Sequence, residues 1–200
     1  MLAVALTLSA FTVSAAVIAL VPLLLERGYS SSEAAWALGL GGAGQTLGRT
    51  LYAAIARRTE VTARTTTLIA LGGLTTAALA LAPGPYPVLI ALSIVAGMVR
   101  GNLTLLQATA ITDRWGTTHY GRLSGLLAAP TTTAAAIAPF AGAALAIPLS
   151  GYPQLFGVLA AVSVLASVSA LRTVPRTTSD GSALLRRPSV PADPPPAQPP

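Results

Sequence analysis

Ser93, Gly97, Arg100, Thr104 and Gln107 recur at intervals of three and four in an otherwise apolar run that begins at Tyr86. On a helix they form one polar stripe along a rod about 35 Å long. A charge at mid-membrane costs at least about 2.5–3.5 kcal/mol, so such a residue faces a bundle interior or a wet cavity. Arg100 is therefore the first candidate for binding chemistry. No Asp or Glu lies near the middle of any apolar stretch, so the chain offers Arg100 no carboxylate at its own depth. Three partners remain open: an anionic or polar substrate, a carboxylate on another chain or a missing half, or helix carbonyls with Gln107 and water in a purely structural role.

Other candidates are weaker. Ser9 and Thr12 lie three apart in the first apolar run, where each hydroxyl can bond back to a carbonyl one turn earlier or line a cavity. Gly44 and Gly48 make a small-xxx-small pair that lets another helix come close. Arg49, on the same helix, can snorkel to the interface or face a cavity. Pro139 removes a backbone hydrogen bond and is expected to kink its helix. Enzyme chemistry has no support. His119 is the single histidine and sits in a loop, too few for a zinc site. Ser124 follows Gly121-Arg122-Leu123, where Arg122 replaces the glycine that a serine-hydrolase turn would need, and no helix supplies a histidine base. No phosphate-binding glycine loop is present. With no cysteine there are no thiolate ligands, and no cofactor is implied.

These residues need elements to hold them, and composition says which. Of the 200 residues, 53% are hydrophobic and 9% charged, with a mean hydropathy of +0.69. A soluble domain with so little charge would expose large apolar patches. The fold expected is an all-α membrane protein of six transmembrane helices, at about 2–25, 31–56, 65–82, 88–111, 123–149 and 154–171. The first run lacks the charged start of a signal peptide and is too long for one. Ser30 and Glu33 form a capping box before the second helix. From residue 172 the sequence turns to arginine and proline, so 172–200 is expected to be a disordered tail.

The net charge of +6 comes from arginine alone. Arg57, Arg58, Arg64, Arg114, Arg122, Arg172 and Arg176 fall after even-numbered helices, whereas the opposite loops carry Arg27 beside Glu26. The positive-inside rule places the arginine-rich side, and both termini, in the cytoplasm. Basicity arranged this way sets orientation and does not form a nucleic-acid face. The all-arginine usage with abundant Ala and Gly fits a bacterial coding sequence, hence a bacterial cytoplasmic membrane.

Taken together the pattern resembles the C-terminal half of a major facilitator superfamily transporter. The resemblance rests on Gly28-Tyr29-Ser30-x-x-Glu33-Ala34-Ala35 leading into a glycine-rich helix, on Gly48-Arg49 and Arg57-Arg58 closing it, and on Asp113-x-x-Gly116 with Tyr120-Gly121-Arg122-x-x-Gly125 before a proline-containing helix. It covers residues 2–171. The family's hallmark acid between the glycine and the paired basic residues is missing at Tyr52-Ala53. The resemblance implies two inverted three-helix repeats, alternating access, and secondary transport of a small organic molecule by a permease or exporter, with protons as a candidate coupling ion. It places Ser9, Thr12, Arg100, Thr104 and Gln107 by the substrate pathway. It turns the second and fifth helices, with their glycines and Pro139, toward the other half, and the third and sixth toward lipid. A full transporter has about twelve helices, so the expected partner is a second six-helix half: the chain is read as a truncated product, a split half or one subunit of a homodimer. The competing class is a non-transporting membrane assembly protein, or a nonfunctional fragment; the former predicts dry packing with Arg100 bonded to backbone carbonyls.

Overall fold

The structure, a computed structural model, describes residues 1–82 and 84–173. Its described elements are helices: α1 (Leu2–Glu26), α2 (Ser31–Arg58), α3 (Val61–Leu81), α4 (Tyr86–Thr109), α5 (Thr112–Trp115), α6 (Tyr120–Ala146) and α7 (Tyr152–Leu171). Six of these have 20 residues or more, and α5 is a single turn. All six long helices except α2 are long and apolar enough to cross a membrane. The five glycines of α2, with Gln45 and Arg49, dilute its hydropathy although it is the longest helix.

The helix ends depart from the expected ones for identifiable reasons. The third helix begins at Val61, four residues early, and takes Arg64 and Thr65 into its buried first turns. It can do so because Asp113 and carbonyls of α2 meet the Arg64 charge. The fourth helix stops at Thr109, and α5 adds one turn beyond. The fifth expected helix ends at Ala146 and not at 149, since Pro148 cannot donate its amide and disfavours helical backbone at the residue before it. The chain then turns through Ser150 and Gly151, both at positive φ. Pro130 and Pro139 remain inside α6. Of the expected tail, Arg172 closes α7 and Thr173 is buried, its carbonyl accepting from Thr62 Oγ1 at 3.1 Å. Residues 174–200, and Pro83 in the turn before α4, lie outside the described residues.

The most extensive helix pair is α2 with α4, followed by α3 with α7, α1 with α6, α1 with α7 and α3 with α4. This pattern maps onto itself when α1, α2 and α3 exchange with α4, α6 and α7. Backbone contact makes the α2–α4 pair close. A Cβ at Gly44 would stand 2.3 Å from the Ile94 carbonyl oxygen, and one at Gly48 2.0 Å from that of Met98. From the other side, a Cβ at Gly97 would stand 1.9 Å from the Gly41 oxygen, and one at Gly101 2.1 Å from that of Gln45. Of the glycines expected to face another half of the protein, Gly41, Gly44 and Gly48 are thus taken up by α4 within this bundle, whereas Gly39 and Gly42 meet open space. Likewise α3 and α7, expected to turn to lipid, each give one face to the other. Gly73 admits Ser163, and the buried hydroxyls of Thr75, Thr76, Ser163 and Ser167 bond back to carbonyls of their own helices.

Charged and aromatic side chains tie both ends of the bundle. At one end the Glu26 carboxylate accepts the Tyr152 amide at 2.8 Å, capping α7, while Arg27 donates to the Leu79 and Ala80 carbonyls at 2.7 and 2.8 Å, capping α3. These are the helix termini that an anion and a cation respectively favour. Tyr29 donates to Gly84 O and Tyr86 to Glu33 O, with their rings 5.7 Å apart. The capping box of Ser30 and Glu33 is formed in both directions. The opposite end gathers Met1, Arg64, Asp113, Arg114 and Arg172.

Candidate functional site

Arg100 is residue 15 of the 24 in α4, about 21 Å from the helix start and about 14 Å from its end. Its side chain lines a cleft of about 290 Å³ between α1, α4 and α6, together with Ser14, Thr104, Gln107, Thr131 and Thr132. Gln107, Thr131 and Thr132 also line an adjoining cleft of about 270 Å³ that continues toward Tyr120 and Ser124. The two share these residues and form a groove of mixed polar and apolar lining along α4 and α6 toward the arginine-rich end. Among the described residues no carboxylate lines either cleft, and the Arg100 guanidinium makes no hydrogen bond. Thr104 is turned back to the Arg100 carbonyl at 2.9 Å, and Thr131 to Leu127 and Ala128. Those hydroxyls keep their lone pairs as acceptors, and Gln107 can both donate and accept. A guanidinium beside such groups can hold a carboxylate or phosphate oxygen through charge-assisted bonds.

The stripe read from the sequence divides at its middle. Arg100, Thr104 and Gln107 line the cleft, whereas Ser93 and Gly97 face α2: Ser93 is fully buried, and its carbonyl lies against Gly41. A single helix face spans this much because α4 packs on α2 along one edge of the stripe and opens onto the cleft along the other. Ser9 and Thr12 are buried in helix packing away from both clefts, with Thr12 donating to Ser9 O at 3.0 Å. The hydroxyl that α1 gives to the cleft is that of Ser14. Arg49 and Arg122 are exposed, and Pro139 is half-buried within α6. Gly44 and Gly48 pack on α4, as described above.

Asp113 belongs to a second cluster, at the arginine-rich end. It accepts from Arg64, which also donates to Ala56 O and Thr59 O and lies over the Tyr52 ring with its carbon 5.6 Å from the centroid. The Tyr52 hydroxyl meets Thr109 Oγ1 at 2.7 Å. Next to Asp113, Arg114 donates to Thr65 Oγ1 at 2.7 Å and to Ala110 O at 3.3 Å. Burial pushes the Arg114 guanidinium below its ordinary pKa; Asp113 raises it and Arg64 lowers it further. The cluster joins the end of α2, the start of α3 and the break after α4.

Sequence reasoning missed Ser14, Thr131, Thr132 and the pairing of Arg64 with Asp113. Thr131 and Thr132 had a signal: Thr131-Thr132-Thr133 follows Pro130 in a helix with no other polar side chain after Ser124. The ion pair had none, because its members lie 49 residues apart.

A bundle of long apolar helices around a one-sided polar cleft defines an integral membrane protein. The sequence model of the Major Facilitator Superfamily matches residues 2–197, and the chain belongs to that family of transmembrane transporters. A search of curated proteins finds no match.

Proposed function

We propose that this chain forms a six-helix half of a secondary transporter and carries a small organic anion past Arg100. Arg100 supplies the supporting observation: a cation at the middle of α4, in a cleft with Ser14, Gln107 and Thr132, without a carboxylate among the described lining residues. A structural arginine would be bonded to carbonyls, and an assembly protein would pack dry around it. Transport by alternating access needs the reverse, a polar wall that a substrate completes. The self-mapping helix packing supports two inverted three-helix repeats, the arrangement of each half in this superfamily. In that arrangement α2 crosses the membrane despite its glycines, and α1 and α4 flank the pathway. The arginine-rich end with both termini is the cytoplasmic end. The exposed faces of α2 and α6 meet a second six-helix half, on another chain or a second copy. The substrate enters the groove between α4 and α6 and meets Arg100 with Gln107 and Thr104 beside it.

Membrane vesicles from cells expressing the chain test this with a panel of labelled mono- and dicarboxylates and, as the opposite charge class, organic ammonium ions. Carboxylate flux that falls at least about tenfold in Arg100→Ala supports the reading. Flux that the variant leaves unchanged, or selectivity for the ammonium ions, contradicts it.

A further inference from the structure

One cavity is larger than the Arg100 cleft. It lies at the arginine-rich end, holds about 430 Å³, and is walled by Leu123, Leu126 and Leu127 of α6, by Arg114 and Trp115 of α5, and by Arg172 at the end of α7. The volume is within the range of sites that take small molecules, about 300–1,000 Å³. Its walls are mainly apolar, and its polar side chains include two guanidinium groups.

Arg114 is 6% exposed. Two of its nitrogens are bonded within the protein, but its buried Nε has no partner. A guanidinium has five N–H donors, and the bonds to Ala110 and Thr65 use two of them, so the terminal nitrogens keep N–H groups for a ligand oxygen. Charge points the same way. Asp113 is held by Arg64, so among the described residues Arg114 and Arg172 face the cavity without a carboxylate of their own. Trp115, half-exposed beside them, is the residue type that marks a membrane–water interface. Leu126, 66% exposed on a membrane-long helix, continues the apolar wall outward.

We propose that this cavity is a binding site for an anionic phospholipid, its phosphate on the guanidinium groups of Arg114 and Arg172 and one acyl chain along Leu123, Leu126 and Leu127. A free phosphate would leave the leucine wall uncovered, and a zwitterionic lipid would bring a third cation to a site that already holds two. Basic pockets between membrane helices hold anionic headgroups in this manner, and each arginine near the surface contributes about a fivefold preference. The cavity borders the groove at Ile111 and Leu127 but does not include Arg100, and it does not depend on what the Arg100 cleft carries.

The test uses the full chain, delipidated in a neutral detergent and analysed by native mass spectrometry with dioleoyl phosphatidylglycerol, dioleoyl phosphatidylcholine or inorganic phosphate. The site predicts retention of phosphatidylglycerol over phosphatidylcholine by at least about fivefold, and little retention of phosphate. Arg172→Gln should weaken phosphatidylglycerol retention about fivefold, and Leu126→Trp should remove it by filling the acyl-chain path with both arginines intact. Arg172 and Leu126 are exposed, so these variants keep the fold where Arg114→Gln fails to. Equal retention of the two lipids, phosphatidylglycerol retention that neither variant changes, or phosphate held as well as lipid would each overturn the proposal. So would phosphatidylglycerol binding that emerges only when the chain is cut after Thr173, since the chain's own end would then be the occupant.

Discussion

Arg64 and Asp113, 49 residues apart, form an ion pair in which the arginine is almost wholly buried and the carboxylate about a quarter exposed. The pair fixes the start of α3 to the break between α4 and α6. It also explains why α3 begins four residues before the sequence suggests, because an arginine can enter a buried first turn once its charge is met.

Asp113→Asn should therefore destabilise the bundle by about 1.5–3 kcal/mol, the range for a lost hydrogen bond to a charged group. Thermal unfolding in detergent measures this. Arg57→Gln, a change at an exposed position on the same end, should stay within about 0.5 kcal/mol. If both variants unfold alike, the pair contributes nothing beyond surface charge.

The α2–α4 interface makes a sharper contrast. Gly97→Ala places a methyl group against the Gly41 carbonyl oxygen and should force the helices apart, costing at least about 1–3 kcal/mol. Gly42→Ala meets open space and should be neutral or slightly stabilising. Unfolding midpoints of the two variants give the comparison. Equal midpoints would mean that the helices are not in backbone contact.

Glu26 and Arg27 cap two different helices from one dipeptide, so their losses should be separable. Glu26→Ala frees the Tyr152 amide and should cost about 0.5–2 kcal/mol. Amide exchange should quicken in the first turn of α7 and not at the end of α3. Arg27→Met should do the reverse, exposing the carbonyls of Leu79 and Ala80. Exchange that quickens at both helix ends in either variant would show one shared cap.

Much of this was readable from residue order alone. The helices follow from apolar runs broken by Pro and Gly, and the Ser30–Glu33 box is a local pattern that any helix start can form. Arg100 stood out because its cost is intrinsic and needs no knowledge of neighbours. What could not be read was which edge of a polar stripe another helix covers. Ser93 and Arg100 share a helix face, yet the first is sealed by α2 and the second lines a cleft. Crossing positions decide that, and they are set by glycines on two helices that periodicity cannot align. Pairings such as Arg64 with Asp113 and Arg114 with Thr65 are equally long-range, as is the cavity beside Arg172.

Arg100 is the charge proposed to meet the substrate. The most direct measurement is ligand-induced thermal stabilisation of the purified chain by a panel of small carboxylates and ammonium ions, in wild type, Arg100→Lys and Arg100→Gln. At least one carboxylate and no ammonium ion should raise the unfolding midpoint. That shift should be partly kept by Arg100→Lys and lost in Arg100→Gln, while the unliganded midpoints stay close together. A carboxylate shift of undiminished size in Arg100→Gln would contradict the proposal.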